Sequence, residues 1–300
     1  MKFSEFVPPM LLSERESPFD DGDYIFELKF DGIRAMLHAS PREVKVYSRN
    51  GNEITQSFPE LQCIKSIVSE KTIFDGEIVA FADGKPSFSK LQKRNLMKNS
   101  RKISVSSENE PVTFVVFDCI YEGKSLVNIP LIERKGFLEK YPDTDVFVKT
   151  KYIFKNGKRF FKNVAKLGLE GIVAKKSDSL YQVGIRTRDW IKIKNFRCES
   201  FLIGGYVVNK IRTSLLLGEY RGKDFFYVGK VSIERDNPLF KKLCSLRSVK
   251  VSPFCNHSEV DAHYVALEYS CEVSYIERTP GKNLRQPIFK REIKKGRSIG

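Results

Sequence analysis

The stretch FELKFDGIR, residues 26–34, alternates large apolar side chains with charged ones. Successive side chains of a β-strand point to opposite faces of its sheet, so we predict a strand here with two chemically different faces. The apolar face would carry Phe26, Leu28 and Phe30. The charged face would carry Glu27, Lys29 and Asp31.

Two further segments repeat this alternation. In WIKIK, residues 190–194, two isoleucines alternate with a tryptophan and two lysines, and in FDGEI, residues 74–78, two carboxylates share one side. An antiparallel sheet with one solvated face gives the same pattern. However, glycine directly follows a charge in Asp31-Gly32, Asp75-Gly76 and Glu170-Gly171, and glycine lets a backbone turn tightly or approach a ligand closely. These residues alone leave open both a solvated face and a binding site.

The composition indicates an intracellular protein that binds a polyanion. The 300 residues include 52 Lys and Arg against 37 Asp and Glu, which leaves a net charge of +15 and makes nucleic acid the first candidate partner. We find neither a membrane-spanning apolar run nor a secretory signal, and we therefore expect a soluble, cytoplasmic protein. The six scattered cysteines and three histidines argue against a zinc site, a disulfide framework and a histidine-based mechanism.

The periodicity of apolar residues predicts a mixed α+β domain followed by a small β-barrel. Strands are predicted at 24–30, 33–39, 44–48, 72–81, 112–120, 170–176 and 190–195, and helices at 58–68, 131–141 and 160–167. Residues 98–111 are predicted to form an exposed loop. Beyond residue 195, strands are predicted at 201–209, 214–220, 225–233 and 264–276, with a helix at 238–246. We place the domain boundary near residue 198.

Residues 29–34, KFDGIR, follow the pattern KxDGxR, in which the chain resembles the covalent nucleotidyltransferases: DNA ligases, RNA ligases and mRNA capping enzymes. Other motifs of that family follow in order along nearly the whole chain: SRNG (48–51), FDGEI (74–78), FVVFD (114–118), EGIVAKK (170–176), WIKIK (190–194) and LRQPIF (284–289). The chain is most similar to ATP-dependent DNA ligases, specifically to the ligase domain of bacterial non-homologous end-joining ligases.

This resemblance implies a fold and a reaction. The fold would be an α+β nucleotidyltransferase domain of antiparallel sheets and helices, of the ATP-grasp-like ligase type, over residues 1–197, and an all-β oligonucleotide-binding (OB) barrel over residues 198–300. In the reaction, a lysine takes AMP from ATP, passes it to the 5′-phosphate at a nick, and the 3′-hydroxyl then displaces AMP. ATP and Mg²⁺ or Mn²⁺ would serve as cofactors, with nicked duplex DNA as the substrate.

Matching motif positions imply roles for individual residues. Lys29 would be the nucleophile, and because a lysine is ordinarily protonated, cationic neighbours or desolvation must lower its pKa. Lys192 and Lys194 would supply those charges and hold the α-phosphate. The nucleotide would be bound by Glu27, Phe117, Arg34, Glu77, Lys175, Arg285 and Arg186, although the spacing to Trp190 does not decide between Arg186 and Arg188. The 5′-phosphate would be bound by Ser48 and Arg49, and the metal ion by Glu170, with Asp31 either supporting the metal or anchoring the turn. Phe117 has a rival interpretation as a core aromatic.

The end of the chain and the biological setting leave alternatives open. Arg285, with Lys290 or Arg291, would reach the pyrophosphate of ATP, whereas the basic tail at 290–300 could equally contact the DNA backbone. Family analogy adds the bacterial cytosol or nucleoid as the location, a monomer as the expected state, and a Ku-like end-binding protein as a partner. The alternative functions are an RNA ligase, a capping-type guanylyltransferase, or a non-catalytic DNA-binding module.

Overall fold

The structure is a computed structural model that describes residues 2–210, 212–279 and 281–293. The chain divides into two compact units, the first ending at Asn195 and the second beginning at Phe196. Of the basic tail considered above, residues 294–300 lie outside the described part of the chain. Among the described residues, no helix has both the length and the apolar character that a bilayer crossing requires.

The first unit contains two sheets, a small hairpin and several helices. Its strands are β1 Leu11–Glu14, β2 Asp21–Leu28, β3 Ile33–Ala39, β4 Val44–Ser48, β5 Thr72–Val79, β6 Phe81–Ala82, β7 Lys85–Pro86, β8 Thr113–Glu122, β9 Lys124–Ser125, β10 Phe147–Lys149, β11 Tyr152–Lys155, β12 Gly171–Lys176 and β13 Arg186–Lys194. Its α-helices are α1 Phe88–Asn95, α2 Ser100–Asn109, α3 Leu131–Leu138 and α4 Gly157–Lys166, and two 3₁₀ helices span Thr55–Ser57 and Pro59–Ser66.

The strand order brings segments that are distant in the sequence together. One sheet has the order β1-β13-β12-β2-β11, and the other has the order β10-β8-β5-β3-β4, with β9 beside β8. Most pairs are antiparallel, but β1 runs parallel to β13 and β10 runs parallel to β8. The sheets are thus antiparallel except for one parallel pair at an edge of each.

The two faces of the first sheet differ as the alternation predicts. One face packs an apolar cluster against α4, formed by Phe26, Val164, Ile172, Ala174 and Ile193. On β12 and β13, Val173 lies opposite Lys192 and Lys175 opposite Trp190, so these side chains share the other face. Burial of the apolar face is favourable by about 25 cal/mol for each Å² of apolar surface removed from water. With that face buried, the charged face is oriented toward the second sheet.

The second unit is almost entirely β-structure. Its elements are β14 Arg197–Val208, β15 Arg212–Arg221, β16 Asp224–Glu234, α5 Pro238–Cys244, β17 Ser248–Val249, β18 His263–Val265, β19 Ser270–Tyr275 and β20 Ile288–Ile293. The long strand β14 pairs with β15 along one edge and with β18 and β19 along the other. Leu239 and Leu243 of α5 pack into the apolar core that the curled sheet encloses.

Some sequence predictions of individual elements are wrong. Residues 98–111 hold helix α2 rather than a loop, and Asn99 caps this helix by accepting a hydrogen bond from the amide of Lys102 at 3.0 Å. Only Ile103 of α2 is buried, so the helix has no apolar stripe that a sequence pattern could reveal. The predicted strand at 264–276 is two strands, β18 and β19. The helix at 58–68 is the 3₁₀ helix Pro59–Ser66.

Candidate active site

A cavity in the first unit is lined by residues from both sheets. It has an empty volume of about 830 Å³ and opens to solvent. Its walls include most of the site residues predicted from the motifs: Glu27, Lys29, Arg34, Arg49, Glu77, Phe117, Lys175, Arg186 and Lys192. The lining is completed by apolar side chains: Leu11, Leu12, Leu28, Phe30, Val173 and Trp190.

Lys29 lies immediately beyond the end of β2, which stops at Leu28 rather than at Phe30. Its amide donates a hydrogen bond to the carbonyl of Gly171 at 3.0 Å, and its Nζ donates to Oε2 of Glu170 at 2.7 Å. Gly171 has φ +144°, a conformation that L-residues with side chains rarely adopt, and an added Cβ would collide with the carbonyl of Ile193. This glycine therefore lets Glu170 approach Lys29.

The amine of Lys29 is surrounded by two lysines of β13 and by Glu14, a carboxylate that the motifs did not predict. Lys192 forms an ion pair with Glu14 at 2.9 Å, and Lys194 lies 3.8 Å from the same side chain. Burial opposes ionisation of Glu14, yet these lysines, with a smaller contribution from Lys29, hold its pKa below the usual value. Burial and the charge of Lys192 lower the pKa of Lys194. Glu14 was missed because its strand has only four residues.

Arg34 and Glu77 occupy neighbouring strands, β3 and β5, and are cross-strand partners. The guanidinium of Arg34 makes a bidentate contact with Asp75, with Nε and Nη2 donating at 2.8 and 2.7 Å, and Tyr181 donates to the same carboxylate at 2.7 Å. Burial raises the pKa of Glu77 to about 7, with Glu170 and Asp75 adding to the increase and Lys29 and Arg34 opposing it.

The opposite end of the cavity holds a buried group of ions beside two aromatic rings. Glu27 forms ion pairs with Lys175, at 2.7 Å, and with Lys135 of α3. The Lys175 ammonium lies 4.0 Å from the ring centre of Phe117 and 4.2 Å from that of Trp190. Burial lowers the pKa of Lys175 to about 8, although Glu27 opposes the decrease. Phe117 both packs against the core and lines the cavity.

The predicted 5′-phosphate residues lie at the end of β4 that is distant from the β3-β4 turn. Ser48 ends β4 and accepts a hydrogen bond at its Oγ from the amide of Asn52 at 3.2 Å. Arg49 follows it, is exposed, and lines the cavity. Arg186 also lines the cavity and donates to the carbonyl of Leu12, whereas Arg188 is absent from the lining. The lining therefore favours Arg186 of the two arginines that the sequence left undecided.

Four predicted residues of the first unit are not among those that line the cavity: Asp31, Ser48, Glu170 and Lys194. Asp31 is half-buried. Arg285 belongs to the second unit, where its Nη1 donates to Glu277 at 2.9 Å. Within residues 2–210, 212–279 and 281–293, no three His, Cys, Asp or Glu side chains cluster closely enough to hold a metal ion by themselves.

Comparison with known proteins identifies the family. The family model described as "ATP dependent DNA ligase domain" matches residues 9–194, and "ATP dependent DNA ligase C terminal region" matches residues 209–294. The chain belongs to the ATP-dependent DNA ligase family. Its two units are accordingly a nucleotidyltransferase domain and a C-terminal OB-fold domain, which confirms the fold class and the family predicted from the motifs.

Individual relatives agree with this assignment. The chain is 34% identical over 290 residues to the SPbeta prophage-derived DNA ligase-like protein LigB of Bacillus subtilis, covering 95% of this chain and 98% of LigB. It is 31% identical over 321 residues to the multifunctional non-homologous end joining protein LigD of Pseudomonas aeruginosa, covering 98% of this chain but only 36% of LigD.

Solved structures show the same fold. The ligase domain of Mycobacterium tuberculosis LigD matches with a TM-score of 0.59 and 26% identity, covering 96% of this chain and 95% of that domain. A Lig E DNA ligase matches with a TM-score of 0.65 and 17% identity, covering 95% and 99% of the two chains. The second likeness concerns the fold alone.

Proposed function

We propose that this protein seals nicks in duplex DNA that carry a 5′-phosphate and a 3′-hydroxyl, by way of lysyl-AMP and DNA-adenylate intermediates. The observation that carries the proposal is the position of Lys29. Its amine lies at the wall of a cavity that also contains Lys192 and Arg34, in a chain of the ATP-dependent DNA ligase family. The domain boundaries that we propose are 1–197 and 198–300.

In the first step, Nζ of Lys29 would form a bond to the α-phosphorus of ATP while the bond to pyrophosphate breaks. The amine must first lose a proton, and Glu170 is the acceptor within hydrogen-bond distance, at 2.7 Å. Lys192 and Lys194 would stabilise the charge that develops on the phosphate oxygens. Such phosphoryl transfer depends on positioning and electrostatics, which is consistent with the low histidine content.

The rest of the cavity would bind the nucleotide. Glu27 and Phe117 would contact adenine, with Lys175 beside them, and Arg34 and Glu77 would contact the ribose or its phosphate. Arg186 would add a positive charge near the phosphates. In the second unit, Arg285 would act on the pyrophosphate, with Lys290 or Arg291 as further candidates.

A divalent cation, Mg²⁺ or Mn²⁺, fits the carboxylates near Lys29. Burial is the main cause of the raised pKa of Glu77, and the charge of Glu170 adds to it, so a positive charge near the two carboxylates would relieve their repulsion. Mg²⁺ typically uses one or two carboxylates together with substrate phosphates. Glu170, with Glu77 or Asp31, would hold the ion, which would supply charge neutralisation during phosphoryl transfer.

The later steps require DNA. Ser48 and Arg49 would grip the 5′-phosphate, for which a planar, permanently charged guanidinium is suited. The net charge of +15 would supply affinity for the duplex through counterion release. LigD proteins are described as acting in non-homologous end joining, and we propose DNA repair or end joining in the cytoplasm as the setting, with a Ku-like protein as a partner.

The experiment is an incubation with α-labelled ATP or α-labelled GTP, followed by a nicked duplex with DNA or RNA on each side of the break. We expect covalent label from ATP and sealing of the DNA nick. Label from GTP but not ATP would indicate a guanylyltransferase, and sealing of RNA alone would indicate an RNA ligase. Duplex binding with no covalent label would indicate a non-catalytic DNA-binding module.

A further inference from the structure

Lys135 of α3 contacts Glu27 from behind the cavity. Its Nζ forms an ion pair with Oε1 of Glu27, while Lys175 pairs with Oε2, so each carboxylate oxygen has its own cation. All three side chains are at most 4% exposed. Glu27 lines the cavity, whereas Lys135 is not among its lining residues. Lys135 can therefore act on a bound nucleotide only through the groups that it holds.

The position of Lys135 is fixed by contacts on both sides. Its Nζ donates to the carbonyl of Phe117 at 3.0 Å, so one ammonium connects the carboxylate of Glu27 to the strand that carries the aromatic ring. The adjacent Arg134 is fully buried, makes a bidentate contact with Asp118 at 2.9 and 2.8 Å, and donates to the carbonyl of Ser179 at 3.0 Å. Helix α3 is thus anchored to β8 and to the loop that follows β12.

This arrangement keeps Glu27 ionised despite its burial. Burial alone would raise the pKa of Glu27, yet Lys135 and Lys175 hold it below its usual value. An ionised carboxylate only accepts hydrogen bonds. Adenine has an amino group at C6, which is a donor, whereas guanine has an oxygen there, which is an acceptor. An ionised, immobile Glu27 that faces C6 of the base would therefore favour adenine over guanine.

We propose that Lys135 is a positioning residue for nucleotide selection, which keeps Glu27 ionised and oriented so that the cavity accepts ATP and rejects GTP. The inference rests on the proposed function, because it assigns Glu27 to the adenine. It adds a residue from outside the motif series, since Lys135 lies in the helix LIERKGFL rather than in any motif quoted above.

The test measures covalent labelling by α-labelled ATP and GTP in the full chain. We expect Lys135→Met to raise the KM for ATP and to lower the ATP-to-GTP ratio of kcat/KM by about tenfold, because a buried carboxylate loses one counter-charge. Lys135→Gln, which keeps a donor for the Phe117 carbonyl but no charge, should lower the ratio similarly. Lys135→Arg, which keeps the positive charge, should retain most of the wild-type ATP-to-GTP ratio. The matched control is Lys176→Met, which removes an exposed lysine paired with Asp178.

A double mutant isolates the coupling between Lys135 and Glu27. In a Glu27→Gln background, Lys135→Met should change the ratio by less than about twofold, because the charge on which Lys135 acts has gone. A further tenfold fall there would overturn the proposal. The proposal would also be overturned if the wild type is labelled from ATP and neither Lys135→Met nor Lys135→Gln changes the ATP-to-GTP ratio of kcat/KM. That second result would leave the proposed function intact. A wild type labelled by neither nucleotide overturns both.

Discussion

Two groups of lysines at the cavity are held in opposite ways; we call them the base end and the reactive end, after the roles that we propose for them. At the base end, Lys135 and Lys175 are 4% and 3% exposed and share one buried carboxylate. At the reactive end, Lys29 is 21% exposed and has a hydrogen bond at 2.7 Å to Glu170, which is 7% exposed. The base end consists of three charges that hold one another in place, whereas the reactive end leaves an amine partly open to the cavity.

The difference fits the role that we propose for each end. Leaving a buried charge without a partner is costly, so fully buried ions keep their geometry and suit recognition of an invariant base. A nucleophile must instead exchange its partner for an electrophile during each turnover, which partial exposure permits. Under this proposal, lysine serves recognition or reaction according to its burial.

The largest expected effect comes from removing the amine at the reactive end. Lys29→Ala should reduce covalent AMP transfer by about 10⁴-fold or more, because no other side chain replaces the nucleophile. Binding to nicked DNA should change by less than about twofold, since the variant loses one of 52 basic residues. Mass spectrometry of protein exposed to ATP and Mg²⁺ measures the adduct. Lys45→Ala, at a 45% exposed lysine of β4, is the matched control.

Full adduct formation in Lys29→Ala would mean that another amine reacts. The distinction between the two ends would then be wrong, because partial exposure would not mark the nucleophile.

A second variant tests the charge around Lys29 while leaving the amine itself intact. Lys192→Met should lower kcat for self-adenylylation by about 10²-fold, the loss typical of one donor to a developing anion. Single-turnover labelling measures this rate. Lys176→Met, an exposed lysine on the neighbouring strand, should leave the rate unchanged. If Lys192→Met changes only KM, Lys192 binds the nucleotide without stabilising the transition state.

The third prediction concerns stability and pH. The pKa of Glu77 is raised from 4.5 to about 7, so folding favours the protonated form; its stabilising contribution is complete below pH 4.5 and is lost as the pH rises through 7. Each pKa unit corresponds to about 1.4 kcal/mol, and the partial exposure of Glu77 reduces the total effect of the shift on stability. As the pH is raised from 5 to 8, the free energy of unfolding of Glu77→Gln should therefore increase by about 2 kcal/mol relative to that of the wild type.

Urea titrations at the two pH values measure that difference. Glu43→Gln, at a 59% exposed carboxylate, should show no such change relative to wild type. If the difference in free energy of unfolding between Glu77→Gln and the wild type is the same at both pH values, Glu77 does not titrate in this range.

The smallest expected effect lies at the rim of the cavity. Arg49→Ala should slow AMP transfer to a 5′-phosphorylated nick by about tenfold and self-adenylylation by less than twofold, because a charged hydrogen bond contributes about 1.5–3 kcal/mol and only DNA would use this one. Gel assays that start from preformed lysyl-AMP separate the two steps. Equal losses in both steps would show that Arg49 supports the cavity as a whole. Arg42→Ala, at an exposed residue of the β3-β4 turn, is the control.

Sequence patterns predicted elements where one face is buried. The strands Ile33–Ala39 and Val44–Ser48 have the predicted bounds, because alternation is imposed by a sheet with an apolar core. Helix α2 was missed because it buries only Ile103, and its capping Asn99 resembles an ordinary loop residue. Local patterns therefore fail where an element contributes little to the core.

The sequence by itself determined the family, the fold class and most residues of the cavity, because nucleotidyl transfer needs particular side chains at short, recognisable spacings. Only the tertiary structure decided how these charges are paired. Glu14 and Lys135 lie far along the chain from the groups that they contact, Lys192 and Glu27, and reach them through a parallel strand pair and a helix. Ion pairing depends on distance in space and on burial, neither of which a local pattern encodes.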